Sequence, residues 1–174
     1  MGTPRRFPIF LRDRRGVTAV EFAIVGPVFI AFLFSMIETG WLMTKIAMLD
    51  NATSQAAREI YTGKAPTQEA LEAAICDRAT VFIDCEANIS VELVEIADFG
   101  DRPPTAPDCR DAANPGYTPA TSYATASSAD IMFIRVCVTT PVITPALGFG
   151  LSLPKTPTGR YQVVSSFAFM NEPF

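Results

Sequence analysis

RRGVTAVEFAIVGPVFIAFLFSMI (residues 14–37) decides the architecture, because a basic pair and a glycine lead directly into a long apolar run. From Phe22 to Ile37 no residue is charged, and as far as Thr44 the only charge is Glu38. That is about the 20 residues needed to cross a hydrocarbon core. The membrane part is expected at about residues 20–43, with Trp41 where an aromatic side chain marks the outer interface. At about 1.5 Å per residue, Val17 to Glu38 spans roughly 31 Å, so Glu38 is expected at the outer boundary with its carboxylate reaching water or headgroups. Gly26-Pro27 interrupts the run. Proline removes one backbone hydrogen bond, so this site reads either as an ordinary kink or as a point where the helix loosens when it leaves lipid.

Charge is distributed unevenly around this segment. Arg5, Arg6, Arg12, Arg14 and Arg15 precede Gly16 and are opposed only by Asp13. Without residues 1–16, the 14 Lys+Arg and 18 Asp+Glu of the chain fall to 9 and 17, and the net charge moves from −4 to −8. A basic head on an acidic body places the N-terminus in the cytoplasm by the positive-inside rule. It does not provide the distributed basic face that nucleic acid requires. The apolar run is longer than the core of a secretory signal, and no small-x-small cleavage site follows it, so it is expected to be retained.

Histidine is absent. This removes His-based general acid–base chemistry, the Ser-His-Asp and Cys-His nucleophile systems and most zinc sites. Asp98, Asp101, Asp108 and Asp111 do not match the spacing of a calcium loop and read as solvated turn residues. Ser127-Ser128 has no base nearby in sequence, and Gly148-Phe149-Gly150 lacks the strand, helix and lysine of a phosphate-binding loop. No catalytic residue, metal site or cofactor is therefore expected. Cys76, Cys85, Cys109 and Cys137 all follow the apolar segment, and an even count in an exported domain reads as two disulfides. Four cysteines permit three connectivities. The expected one joins Cys76 to Cys85, closing the turn after a second helix, and Cys109 to Cys137, tying a long loop to a strand.

Gly16-Val17-Thr18-Ala19-Val20-Glu21-Phe22, with Arg14-Arg15 before it and the apolar run behind it, resembles a type IV prepilin processing site. With Ala23-Ile24-Val25-Gly26-Pro27 and Ile37-Glu38-Thr39-Gly40-Trp41, the first 60 residues or so are similar to the TadE-like (TadE/TadF) pseudopilins, minor pilins of tight-adherence (Flp) type IV pilus systems. The resemblance implies cleavage after Gly16 by a prepilin peptidase, leaving a new amine at Val17. It also implies that Glu21, followed by Phe22, pairs with such an amine on a neighbouring subunit and sets axial register. The partners it implies are the peptidase, other pilins packed through the N-terminal helix and an inner-membrane assembly platform, besides membrane lipid and without nucleic acid. A lone carboxylate entering lipid costs on the order of 2–3 kcal/mol, so Glu21 needs a partner. The plainer alternative is that Gly16 is a loop residue and Glu21 only complements the helix dipole. Function then divides between a minor pilin of a Tad-type system, acting in pilus biogenesis and adherence, and an uncleaved single-pass periplasmic adaptor. Both are anchored in the bacterial inner membrane with the C-terminal domain in the periplasm, and incorporation into the pilus is left open.

Beyond Lys45 the helix turns polar on one side. Ile46, Leu49, Ala52, Thr53, Ala56, Ala57 and Ile60 recur at three- and four-residue steps, and Thr62-Gly63 is a stop. The expected division is a leader at 1–16, one helix at 17–62 and a disulfide-bonded domain at 63–174. Within that domain Thr67 caps a helix from Gln68 to about Ala79. Strands are expected at 88–96, at 131–138 in the centre and at 161–169, with loops at 100–129 and 141–159. The fold class is α+β: a long transmembrane helix, a short second helix and an antiparallel sheet of three or more strands.

Overall fold

The computed structural model describes residues 16–62, 64, 66–98, 100, 103, 106–107, 109–124 and 130–170. Residues 1–15 of the expected leader (1–16), Gly63, Asp101, Asp108 and Ser127-Ser128 lie outside the described residues.

Helix α1 (Val17–Tyr61) is one 45-residue element that continues through Pro27. It is long and apolar enough to cross a membrane. Helix α2 (Gln68–Arg78) starts at Thr67, whose hydroxyl accepts from Ala70 N at 3.3 Å. After a one-turn helix α3 (Cys85–Asn88) come β1 (Ile89–Ile96) and β2 (Ile131–Pro141). A short helix α4 (Gly148–Ser152) and β3 (Arg160–Met170) complete the chain. The fold is α+β, with a three-stranded antiparallel sheet in the order β1-β2-β3. The expected central strand is central, with Leu93 and Phe167 opposite Ile134 on either side.

Alternation along the strands separates two faces. Ile89, Val91 and Leu93 of β1 and Met132, Ile134, Val136 and Val138 of β2 join Leu49, Ala52, Ala56 and Ile60 of α1 in the core, with Leu71 and Ile75 of α2. The three- and four-residue stripe of α1 is therefore a core contact. Each fully buried aliphatic side chain in it contributes about 1.5–3 kcal/mol. Arg78 pairs with Glu59 at 2.6 Å, joining α2 to α1 at the half-exposed rim, where such pairs add little.

The opposite face carries Glu92, Arg135, Cys137 and Thr139, with an Arg135–Glu92 ion pair across paired positions of β1 and β2. Residues 109–124 run from this face to the edge of β1, and they are held far more tightly than a free loop. Cys109 is bonded to Cys137 and Cys76 to Cys85. Asn88, buried at the end of α3 rather than opening the strand, accepts from Ala112 N and Thr139 Oγ1. Asp111 accepts from Thr158 and lies 3.5 Å from Arg160, so it is a structural anchor of the loop. Leu93 and Tyr123 form a parallel bridge, with Leu93 N to Ser122 O at 2.9 Å and Ala124 N to Leu93 O at 2.8 Å. The Tyr123 hydroxyl donates to Pro66 O at 2.7 Å. Burial, with Glu69 adding, pushes its phenol up, which keeps it a donor.

The two disulfides close unequal loops, with sequence separations of 9 and 28. By loop entropy, Cys109→Ala/Cys137→Ala should destabilise the protein by roughly 1 kcal/mol more than Cys76→Ala/Cys85→Ala, on a base of about 3 kcal/mol. Urea unfolding of the two double variants in detergent checks this order.

Candidate assembly surface and its anchor

The N-terminal half of α1 is mostly exposed. Val17, Val20, Phe22, Ile24, Val25, Val28 and Phe29 are all large and uncovered. Phe22 turns its ring back over Gly26, one helical turn on, where an added Cβ would meet the ring at 3.4 Å. Gly26 is buried by this contact although Phe22 itself is 73% exposed. Among the described residues, nothing lies within 4 Å of a Cβ built on Gly16.

Glu21 is the one charge in this apolar surface, and it is exposed. The helix begins at Val17 and has no acidic residue in its first turn. Glu21 therefore lies beyond the short reach of the terminal dipole. Among the described residues, no ion pair or hydrogen bond includes its carboxylate. Gly16, Val17, Glu21, Phe22, Gly26 and Pro27 are thus brought together as one end of one helix, and the cysteines lie apart in the globular part.

Glu38 is different, and here the expectation from the sequence is corrected. It does not reach outward to water or headgroups; it is only 4% exposed. Its two carboxylate oxygens accept from Ile143 N at 3.1 Å, Thr144 N at 2.8 Å and Thr144 Oγ1 at 3.0 Å. One turn earlier, Ser35 Oγ donates to Ala31 O at 2.7 Å and accepts from Phe149 N at 3.0 Å. Two turns later, Lys45 donates to Thr140 Oγ1 and lies 5.6 Å from the centre of the Trp41 ring. Ser35, Glu38, Leu42, Lys45 and Leu49 follow helical spacing, so a single face of α1 holds the segment between β2 and β3.

Gly148 shows how close the backbones come. Its φ is +57°, and an added Cβ would fall 2.2 Å from Ser35 Oγ and 2.9 Å from Ala31 O. Only glycine combines that conformation with that approach. Gly148-Phe149-Gly150 thus has a packing role. Sequence reasoning read residues 141–159 as a loop and missed both α4 and its seat on α1. The available signal was the pair of polar residues, Ser35 and Glu38, placed one turn apart in an apolar helix.

A family model described as TadE-like protein matches residues 16–58. The match covers the segment on which the resemblance rests, from Gly16 through most of α1. No curated protein matches the chain, and no solved structure does.

Glu38→Ala would leave the Ile143 and Thr144 amides without their acceptor, at about 1–3 kcal/mol for each buried group. Glu38→Gln keeps one carbonyl acceptor and should lose less. Thermal unfolding in detergent should rank wild type above Glu38→Gln and Glu38→Gln above Glu38→Ala. Equal transitions for all three would remove the anchoring role.

Proposed function

We propose that this chain is a minor pilin or pseudopilin of a Tad-type pilus assembly system, processed after Gly16 by a prepilin peptidase. One observation carries the reading. Glu21 stands exposed in an apolar helix, beyond its first turn, in a segment that matches the TadE-like model. A carboxylate in lipid needs a counter-charge. Cleavage between Gly16 and Val17 creates one, because the new α-amine is a cation close to neutral pH. The amine and Glu21 of neighbouring copies then meet in a water-poor helix bundle, where attraction is stronger than in water and desolvation opposes it. The bare Gly16 backbone allows a peptidase to approach the bond without a side chain in the way.

In this reading α1 anchors the subunit in the inner membrane before assembly, with the leader in the cytoplasm and the domain of residues 63–174 on the periplasmic side. The exposed apolar half of α1 meets lipid first and other pilins later. Pro27 lacks the amide that would tie it to the preceding turn, which makes this point the easiest place for the helix to adjust between the two surroundings. The role is structural: the chain contributes a helix and a disulfide-bonded head to pilus biogenesis rather than a reaction.

Glu21→Ala should leave membrane level and head folding unchanged while reducing surface pili and co-purification with the other pilins by at least about tenfold, the size of a lost charge pair. Glu21→Asp should recover part of the loss. Normal pilus assembly with Glu21→Ala would contradict the register role.

A further inference from the structure

The stretch from Pro141 to Leu153 contains no charged residue and exposes its apolar side chains: Ile143 is 50%, Leu147 39% and Leu151 63% exposed. Its height along α1 is fixed by the contacts already described. Gly148 and Phe149 touch α1 at Ala31 and Ser35. Those positions lie six to ten residues before Trp41 in a helix that rises about 1.5 Å per residue, so α4 sits roughly 9–15 Å below the Trp41 level. Ala31 and Ser35 are both inside the apolar run whose length fits a bilayer.

A non-helical segment at that depth is tolerated only if its backbone is satisfied within the protein. Four amides of this stretch are paired within the protein. The amides of Ile143 and Thr144 go to Glu38, Leu147 N goes to Thr144 O at 3.3 Å, and Phe149 N goes to Ser35. The Ser152 hydroxyl donates to Phe149 O at 2.9 Å. Lys155 follows the stretch, and its ammonium donates to Leu151 O at 3.1 Å.

We propose that residues 143–153 form a membrane-inserted wedge, seated in the outer half of the same bilayer that α1 crosses, with Leu147 and Leu151 in contact with acyl chains. This rests on α1 spanning the membrane. The wedge gives the head a second point of attachment to lipid and fixes its rotation about the α1 axis. A single helix alone would leave that rotation free.

The test places one tryptophan at a time in the full chain carrying Trp41→Phe, reconstituted in phosphatidylcholine vesicles with bromine on the upper acyl chain. The positions are Leu151→Trp, Phe29→Trp on exposed α1, and Tyr117→Trp on the opposite loop. Leu151→Trp should lose about half its emission to the brominated lipid, as expected for a residue roughly 9–15 Å below the Trp41 level, with Tyr117→Trp unquenched. Leu151→Trp as unquenched as Tyr117→Trp, but open to aqueous acrylamide, would overturn the wedge while quenched Phe29→Trp leaves the membrane helix standing. Leu151→Trp shielded from both quenchers would assign the surface to another protein copy and overturn the wedge as well. Failure of Phe29→Trp to quench would overturn the membrane helix and the wedge together.

Discussion

A carboxylate in an apolar helix must find hydrogen-bond partners or a cation, and the rest of this structure depends on how that need is met at Glu38. The chain answers with two backbone amides and a hydroxyl from residues 143 and 144, more than a hundred positions away. Once these bonds form, the segment from β2 to β3 lies along α1, and the sheet that carries it is fixed against the helix. Leu42, Leu49 and Ile60 then continue the same face into an ordinary apolar core. The head is therefore bound to the helix along most of its outer length, and the helix cannot turn independently of the sheet.

Glu21 has the same chemistry on the same helix and the opposite circumstances. It lies on an exposed apolar surface, without a partner among the described residues. The contrast between the two carboxylates supports an intramolecular role for one and an intermolecular role for the other. A satisfied buried carboxylate stabilises a fold, and an unsatisfied exposed one in lipid favours association with whatever supplies the missing charge. In the proposed function that charge is made only when the leader is removed, so assembly waits for processing.

Much of this was legible in the residues because it depends on local periodicity. The 3.6-residue stripe on α1, the β-branched run from Ile131 onward and the alternation after Ile89 each report a buried face, and each element formed where its pattern lay. Thr67 identified the start of α2 through its cap. What the sequence did not show were partners across long separations. Nothing near Glu38 in sequence announces Thr144, and nothing near Ser35 announces Phe149. Length and depth alone suggested headgroups as the partner of Glu38. Residues 109–124 likewise lack periodicity, yet a disulfide, Asn88, Asp111 and the Leu93–Tyr123 bridge hold them to the sheet. Their order comes from individual polar bonds, which composition does not encode.

The bond between Gly16 and Val17 is where the account is most exposed to contradiction. The decisive measurement is the intact mass and N-terminal residue of the protein recovered from membranes, with and without an active prepilin peptidase. The account predicts a chain beginning at Val17 when the peptidase is active and an unprocessed leader when it is not. A leader retained in peptidase-competent cells would contradict it and leave an uncleaved, membrane-anchored adaptor.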